Sequence, residues 1–218
     1  MRFRNRVHAG ELLAERLTQK LADEWSETTD GVVLGLPRGG VPVAAMVARK
    51  LDLPLDVHLV RKLGVPGREE YAMGAISSGG IRILNDDAIE KLGINDATIE
   101  NVTARERIEL ERRERLFRGE KPPLQLDDRT VIIVDDGIAT GASMESAIEA
   151  IAAASPSFLV VAVPVAPRST VMRLAPTVDL FMTLTTPEPF GAVGMHYEDF
   201  AQTTDDEVQR FLDSPDDR

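Results

Sequence analysis

Val131-Ile132-Ile133-Val134-Asp135-Asp136-Gly137-Ile138-Ala139-Thr140-Gly141-Ala142-Ser143 is the stretch that decides how this chain folds. Val131 to Val134 is an uninterrupted apolar run, which reads as a buried strand, and it ends on two adjacent carboxylates. A strand that leaves the core in this way delivers Asp135 and Asp136 to the carboxyl edge of a sheet, where open α/β folds bind their ligands. Gly137 and Gly141 permit a tight backbone whose consecutive N–H groups converge on an anion. Thr140 and Ser143 add hydroxyl donors. Ser143 is also the expected N-cap of the next helix, whose positive dipole end would face the bound group. Such a cradle suits one phosphate monoester. A plain strand-to-helix turn leaves two acids, two glycines and two hydroxyls in nine residues without a purpose. Other phosphate motifs fit less well. A P-loop needs Lys where Ala142 stands, the dinucleotide fingerprint G-x-G-x-x-G is absent, and a D-x-D pair requires separated aspartates.

Outward from this loop, apolar runs alternate with helical periodicity. Leu13, Leu17, Leu21 and Trp25 form the apolar stripe of a helix over 9–26. A buried strand is expected at 32–36, a helix at 41–51, and a strand at 55–60. Residues 61–70 read as a long polar loop, followed by short strands near 72–77 and 81–84. Residues 86–118 read as helical, with alternating charges from Arg105 to Arg115 that mark a solvated face. A helix over 144–154, strands at 158–163 and 178–184, and a helix at 168–174 complete the pattern. The fold class is therefore α/β, a mostly parallel sheet with helices on both faces. Residues 1–218 read as a single domain carrying a helical insertion, 86–118, and a C-terminal segment, 185–204, with a tail from Ser214 expected to fray.

The 218-residue chain is 43% hydrophobic and 28% charged, enough for a sizeable core, and it contains no cysteine. Disulfides, thiolate metal sites and cysteine nucleophiles are thus excluded, and a reducing cytoplasm is compatible. A formal net charge of −11 repels nucleic acid over most of the surface. No apolar run approaches the roughly 20 residues of a membrane helix. The basic start, Met1 to Arg6, leads into an amphipathic stretch rather than a signal peptide, so a soluble cytoplasmic protein is expected. No G-x-S-x-G elbow or H-E-x-x-H motif appears, and no Ser, His and acid arrangement can be placed, which disfavours a serine hydrolase.

Val131 to Ser143 resembles the 5-phosphoribosyl-1-pyrophosphate (PRPP) motif of type I phosphoribosyltransferases: an apolar strand, two acids, a short spacer, then Thr-Gly-x-Ser. By that resemblance Asp135 and Asp136 take the ribose hydroxyls, and Gly137, Ile138, Ala139, Thr140, Gly141, Ala142 and Ser143 take the 5-phosphate. Gly35-Leu36-Pro37-Arg38-Gly39-Gly40-Val41 resembles the family's pyrophosphate loop, which assigns Arg38, Gly39 and Gly40 to the diphosphate; Leu36-Pro37 is a candidate cis bond. Arg61 to Tyr71 occupies the place of the family's catalytic lid, with Arg61 and Lys62 set to neutralise departing pyrophosphate. The run through Ala72-Met73-Gly74-Ala75-Ile76 is similar to a subgroup of poorly characterised bacterial phosphoribosyltransferase-like proteins. Ala139 stands where hypoxanthine-guanine enzymes carry an Asp, which points away from that substrate.

The resemblance implies Mg²⁺ as cofactor. No direct metal ligand is assigned, and Asp135 and Asp136 reach the ion only through ribose or water. It also implies a C-terminal hood, 185–204, for base recognition, where Phe190 and Tyr197 are candidate stacking residues. His196 lacks a visible partner, and His8 and His58 carry no assigned role. The expected function is transfer of a phosphoribosyl group from PRPP to a nitrogenous base, a step of nucleotide metabolism. The alternative is a non-catalytic PRPP- or nucleotide-binding regulatory module. PRPP and a base are the expected partners, with homodimerisation as a family habit.

Overall fold

The computed structural model describes residues 1–21 and 30–213. Trp25 and the tail from Ser214 to Arg218 lie outside the described residues. In chain order the elements are α1 (Arg6–Leu21), β1 (Gly31–Gly35), α2 (Gly40–Leu51), β2 (Leu55–Val57), β3 (Val60–Val65), β4 (Arg68–Ser77), β5 (Arg82–Leu84), α3 (Asp86–Leu92), α4 (Asp96–Arg118), β6 (Thr130–Val134), α5 (Ala142–Ala152), β7 (Phe158–Val165), α6 (Arg168–Leu174), β8 (Leu180–Thr185) and α7 (Asp205–Asp213). A short 3₁₀ turn spans Val193–His196.

Five strands form a parallel sheet in the order β2-β1-β6-β7-β8. Every residue of β1 and β6 is buried, which is why both strands read as continuous apolar runs rather than alternating ones. Successive side chains still go to opposite faces. Val32, Leu34, Val131, Ile133 and Val161 pack on α5 through Met144, Ala147 and Ile151. Val33, Ile132, Val134 and Val160 pack on Leu13 and Leu17 of α1 and on Val43 and Val47 of α2. The sheet is thus covered on both faces, as the alternation of strand and helix predicts. Fully buried side chains such as Ile132 and Ile133 each contribute about 1.5–3 kcal/mol.

The expected polar loop over 61–70 is instead a hairpin. β3 and β4 pair antiparallel, β5 adds a third strand, and the strand expected over 55–60 is split, ending as β2 at Val57 before β3 starts at Val60. The physical reason lies in two signals that the surface charges hide. Pro66-Gly67 is the two-residue connection between paired Val65 and Arg68, and Gly67 takes φ +76°, the left-handed position that such a turn demands. Leu63, Val65, Met73 and Ala75 are buried while Lys62, Arg68 and Glu69 are exposed, an in-and-out alternation that charge density makes look like a loop.

The helical stretch 86–118 is two helices. Gly93 stops α3 at φ +61°, and Asn85 and Asn95 cap the two N-termini by accepting from the Ala88 and Thr98 amides. α4 buries Ile99, Val102, Leu110 and Phe117 against the hairpin and Val208 of α7. Its outward charges pair along the helix, Glu109 with Arg112 and Arg113, as the solvated-face reading expects. Arg118 departs from that reading. It is buried against Asp56, with Nε 2.8 Å from Oδ1, and donates to the Val57 carbonyl.

After β8 the chain returns to its own beginning. Phe3 bridges Tyr197, its amide donates to the His196 carbonyl at 2.8 Å, and the Glu198 and Asp199 amides donate to the Phe3 and Arg4 carbonyls. This lacing sets the start of α1 beside the carboxyl edge of the sheet.

Candidate active site

In the sheet order, β1 leads one way to β2 and β6 leads the other way to β7 and β8, so the direction of winding reverses between β1 and β6. A crevice opens at such a switch point, outside the carboxyl ends of the two strands. Gly35 and Val134 are direct partners there, and the Leu36 amide donates to the Val134 carbonyl at 2.9 Å. The loops that follow, Leu36 to Gly39 and Asp135 to Gly141, therefore emerge side by side.

The two loops touch, and glycine makes that possible. A Cβ on Gly40 would lie 2.7 Å from the Val134 carbonyl oxygen and 3.0 Å from Oδ1 of Asp135; one on Gly39 would lie 2.0 Å from Oδ2 of Asp136. The acids are thus pressed against the backbone of the neighbouring loop. Oδ1 of Asp135 accepts the Asp136 amide at 2.8 Å. Burial, then the adjacent Asp136 charge, pushes the Asp135 carboxyl well above its usual range. Burial also raises Asp136, against the pull of the Arg6 guanidinium.

Arg6 is a site residue that the sequence reading does not identify. Its Nε donates to Oδ2 of Asp136 at 2.7 Å, one terminal nitrogen donates to the Ala201 carbonyl at 2.6 Å, and its guanidinium lies 3.9 Å from the centre of the Phe200 ring. A signal exists: α1 has no acidic residue in its first turn and begins on Arg6, where the helix dipole disfavours a cation. That placement asks for an anion nearby.

The 137–143 loop is held from behind. The Ile138 amide donates to the Val165 carbonyl at 2.9 Å and its side chain is buried. From α6, Thr170 Oγ1 donates to the Ala139 carbonyl at 2.9 Å and Arg173 donates to the Thr140 carbonyl at 2.7 Å. Arg173 also pairs with Glu145 of α5 at 2.6 Å. Because the C=O and N–H of a trans peptide point opposite ways, the Thr140 and Gly141 amides face away from α6. Ala139, Thr140, Ala142 and Ser143 are exposed. The cap of α5 is Gly141 at φ +86°, not Ser143, because the left-handed residue ends the loop two positions earlier and puts Ser143 inside the first turn. Its hydroxyl is exposed there beside the helix N-terminus.

The other expected residues are more dispersed. Arg38 sits in the first loop, half-buried, with its guanidinium 3.5 Å from Asp205 of α7. The cis peptide bonds are Pro37-Arg38 and Glu188-Pro189, so Leu36-Pro37 is trans. Arg61 is paired with Glu106 of α4 at 2.6 Å. Lys62 is exposed, and as the next residue in β3 it faces the opposite way from Arg61. The two side chains therefore leave the strand on opposite faces.

Tyr197 is corrected outright as a base-stacking residue. It is 2% exposed, its ring packs between Phe3 and Phe200, and its hydroxyl donates to the Asp136 carbonyl. Burial, then the Asp136 charge, pushes the phenol up. Phe190 is half-buried against the His196 ring, and His196 Nε2 meets the Phe190 carbonyl at 2.9 Å, a partner that the sequence does not reveal.

Among the described residues no cluster of three His, Asp or Glu side chains could hold a metal, and no helix is long and apolar enough to cross a membrane. The half-buried carboxylates of Asp135 and Asp136 are hard oxygen donors of the kind Mg²⁺ accepts through bridging hydroxyls or water, so the donor set fits that ion.

Residues 5–197 match the family model for the phosphoribosyl transferase domain. The chain is 46% identical over 211 residues to "Putative phosphoribosyl transferase Rv0571c" of Mycobacterium tuberculosis strain H37Rv, and equally to "Putative phosphoribosyl transferase MT0597" of strain CDC 1551. The alignments cover 97% of this chain and 46% of each relative, so the chain spans about half the length of the curated proteins it matches. The crystal structure of TT1426 from Thermus thermophilus superposes with a TM-score of 0.83 at 45% identity, covering 97% of this chain and 98% of that one. The chain belongs to the phosphoribosyl transferase domain family.

Proposed function

We propose that the protein transfers the 5-phosphoribosyl group of PRPP to a nitrogenous base and releases pyrophosphate. One observation carries the reading: at the switch point the Gly39-Gly40 loop packs against the acid pair, Asp135 and Asp136, which leads directly into the 137–143 loop. In the transfer, the anomeric C–O bond to pyrophosphate breaks with its electron pair leaving on oxygen, a base nitrogen forms the new C–N bond, and the displaced N–H proton goes to solvent. Residues 137–143 would anchor the 5-phosphate, and Asp135 and Asp136 would hold the ribose and favour positive charge developing on it. Arg38, with the Gly39 amide, would receive the diphosphate once its guanidinium leaves Asp205, while the Gly40 amide is already spent on the Leu36 carbonyl at 3.0 Å. Mg²⁺, bound with PRPP, would supply neutralisation of the diphosphate charge. Phe190, in the 185–204 segment, remains the proposed base-stacking residue. A cytoplasmic setting and a homodimer belong to the same reading.

The test is pyrophosphate release from PRPP and Mg²⁺ over a panel of purine and pyrimidine bases. Asp135→Asn and Asp136→Asn should each lower turnover at least about tenfold, as loss of transition-state charge stabilisation requires. Full turnover in both variants would refute the assignment. The second reading, a PRPP- or nucleotide-binding module without turnover, is favoured by the Arg61–Glu106 pair, which occupies a cation expected in catalysis. Mg²⁺-dependent PRPP binding by calorimetry, with no pyrophosphate released with any base, would establish it.

A further inference from the structure

Asp136 is fixed by three elements distant in sequence. Oδ2 accepts from Arg6 of α1, the carbonyl accepts from Tyr197, and the Gly39 backbone closes against the same Oδ2. Arg6 is fixed in turn: its guanidinium stacks over Phe200 and donates to the Ala201 carbonyl, and its side chain is only 13% exposed. A cation held on three sides and aimed at one oxygen of a carboxylate is not a surface ion pair of negligible worth. It leaves Oδ1 as the oxygen able to face the crevice.

We propose that Arg6 is a positioning residue for ribose binding, which holds Oδ2 of Asp136 so that Oδ1 is presented as an acceptor to a ribose hydroxyl. The inference rests on the PRPP reading above and names a residue outside the PRPP motif as part of the same machinery. A charge-assisted acceptor must be ionised, and the surroundings oppose that. Asp136 is pushed upward by burial, Asp135 stands beside it, and the Tyr197 phenol is the other titratable group against it. Arg6 is the cation that offsets them, and Glu207 of α7 lies within electrostatic reach of Arg6 itself. Removing Arg6 moves the Asp136 carboxyl further up, so the neutral acid, a weaker acceptor, persists to higher pH and binding weakens most at low pH.

The experiment is calorimetric titration of the full chain with PRPP and Mg²⁺ from about pH 5.5 to 8.5, on wild type, R6Q and R6K, with the thermal unfolding midpoint of each. Ionisation of PRPP itself is common to all three proteins and cancels in the ratio of affinities. R6Q should bind more weakly than wild type, by up to about tenfold at low pH for each unit that the Asp136 pKa rises, and the gap should narrow as pH rises. R6K, which keeps the charge and loses the fork, should recover the low-pH binding in part. A loss of equal size at every pH, or no loss, would overturn the role of Arg6 while leaving the PRPP reading intact. No PRPP binding by wild type at any pH would instead sink that reading and the inference with it. If R6Q does not fold, the pH profile of R6K against wild type decides: a parallel profile overturns the proposal, and a shift of its acidic limb to higher pH supports it.

Discussion

Replacing Gly40 by Ala perturbs the site at the place where its two loops have least room. The added Cβ would lie 2.7 Å from the Val134 carbonyl oxygen and 2.9 Å from the Asp135 Cα, both of them backbone atoms of the central strand and its exit. Reaching ordinary van der Waals separation, about 3.4 Å, requires the loops to part by about 0.7 Å. Neither side can yield by rotating a side chain. At Gly39 the clash is closer still, but it is with a carboxylate oxygen, which yields by giving up its hydrogen bond to Arg6. Overpacking of this kind costs about 1–3 kcal/mol of stability. A parting of nearly 1 Å between groups that must grip one ligand costs up to about 10²-fold in function. Gly40→Ala is therefore expected to lower PRPP–Mg²⁺ affinity by about 10- to 100-fold and to lower the unfolding midpoint modestly. Calorimetry and a denaturant melt measure the two separately. An unchanged affinity in a folded Gly40→Ala variant would show that the contact between the loops does not position the ligand.

Thr170→Val and Arg173→Met each release one loop carbonyl from α6, so phosphate should bind several-fold more weakly in each and more weakly still in the pair; titration with inorganic phosphate and PRPP checks this, and undiminished binding in both single variants would refute the bracing role. His58 carries the third expectation. It is buried with Nε2 unpaired among the described residues, and burial, then Arg118, lowers its pKa from 6.5 to about 4. Because the unfolded chain takes that proton first, the stability tied to neutral His58 is intact above pH 6.5 and is lost as pH falls toward 4, amounting to about 3 kcal/mol. Urea melts of His58→Gln and wild type across that window should diverge by this amount, and parallel curves would contradict it.

The parts of the fold that are legible in sequence are those whose cause is local. β1, β6 and β7 are buried on both faces, so their runs stay apolar without interruption, and the loop 135–143 is contiguous, so its acids, glycines and hydroxyls are read together. The hairpin of β3 and β4 escapes a sequence reading because Arg61, Lys62, Arg68 and Glu69 crowd its outward side and mask the buried alternation. Arg6 escapes it because its partner lies 130 residues along the chain. Only the lacing of Phe3 and Arg4 to residues 196–199 brings the two together, and that lacing is backbone hydrogen bonding, which side-chain pattern does not encode. Tyr197 is misplaced for the complementary reason: an aromatic ring with a hydroxyl suits a stacking platform and a buried core equally well, and only packing distinguishes them.

The pairing of β1 with β6 joins residues about a hundred positions apart, Gly31 opposite Thr130. During synthesis at ~5–20 residues per second, the Gly39-Gly40 loop emerges on the order of 5–20 s before the strand that faces it. The intervening hairpin and α4 supply most of one buried cluster and can begin to condense in that interval, with Val208 of α7 joining later, whereas the crevice cannot form. Closing so long a loop is a late and slow event in folding. Ligand-binding competence should consequently be the last property a nascent chain acquires, and a phosphate ligand present at that moment would select chains whose central strands have paired correctly.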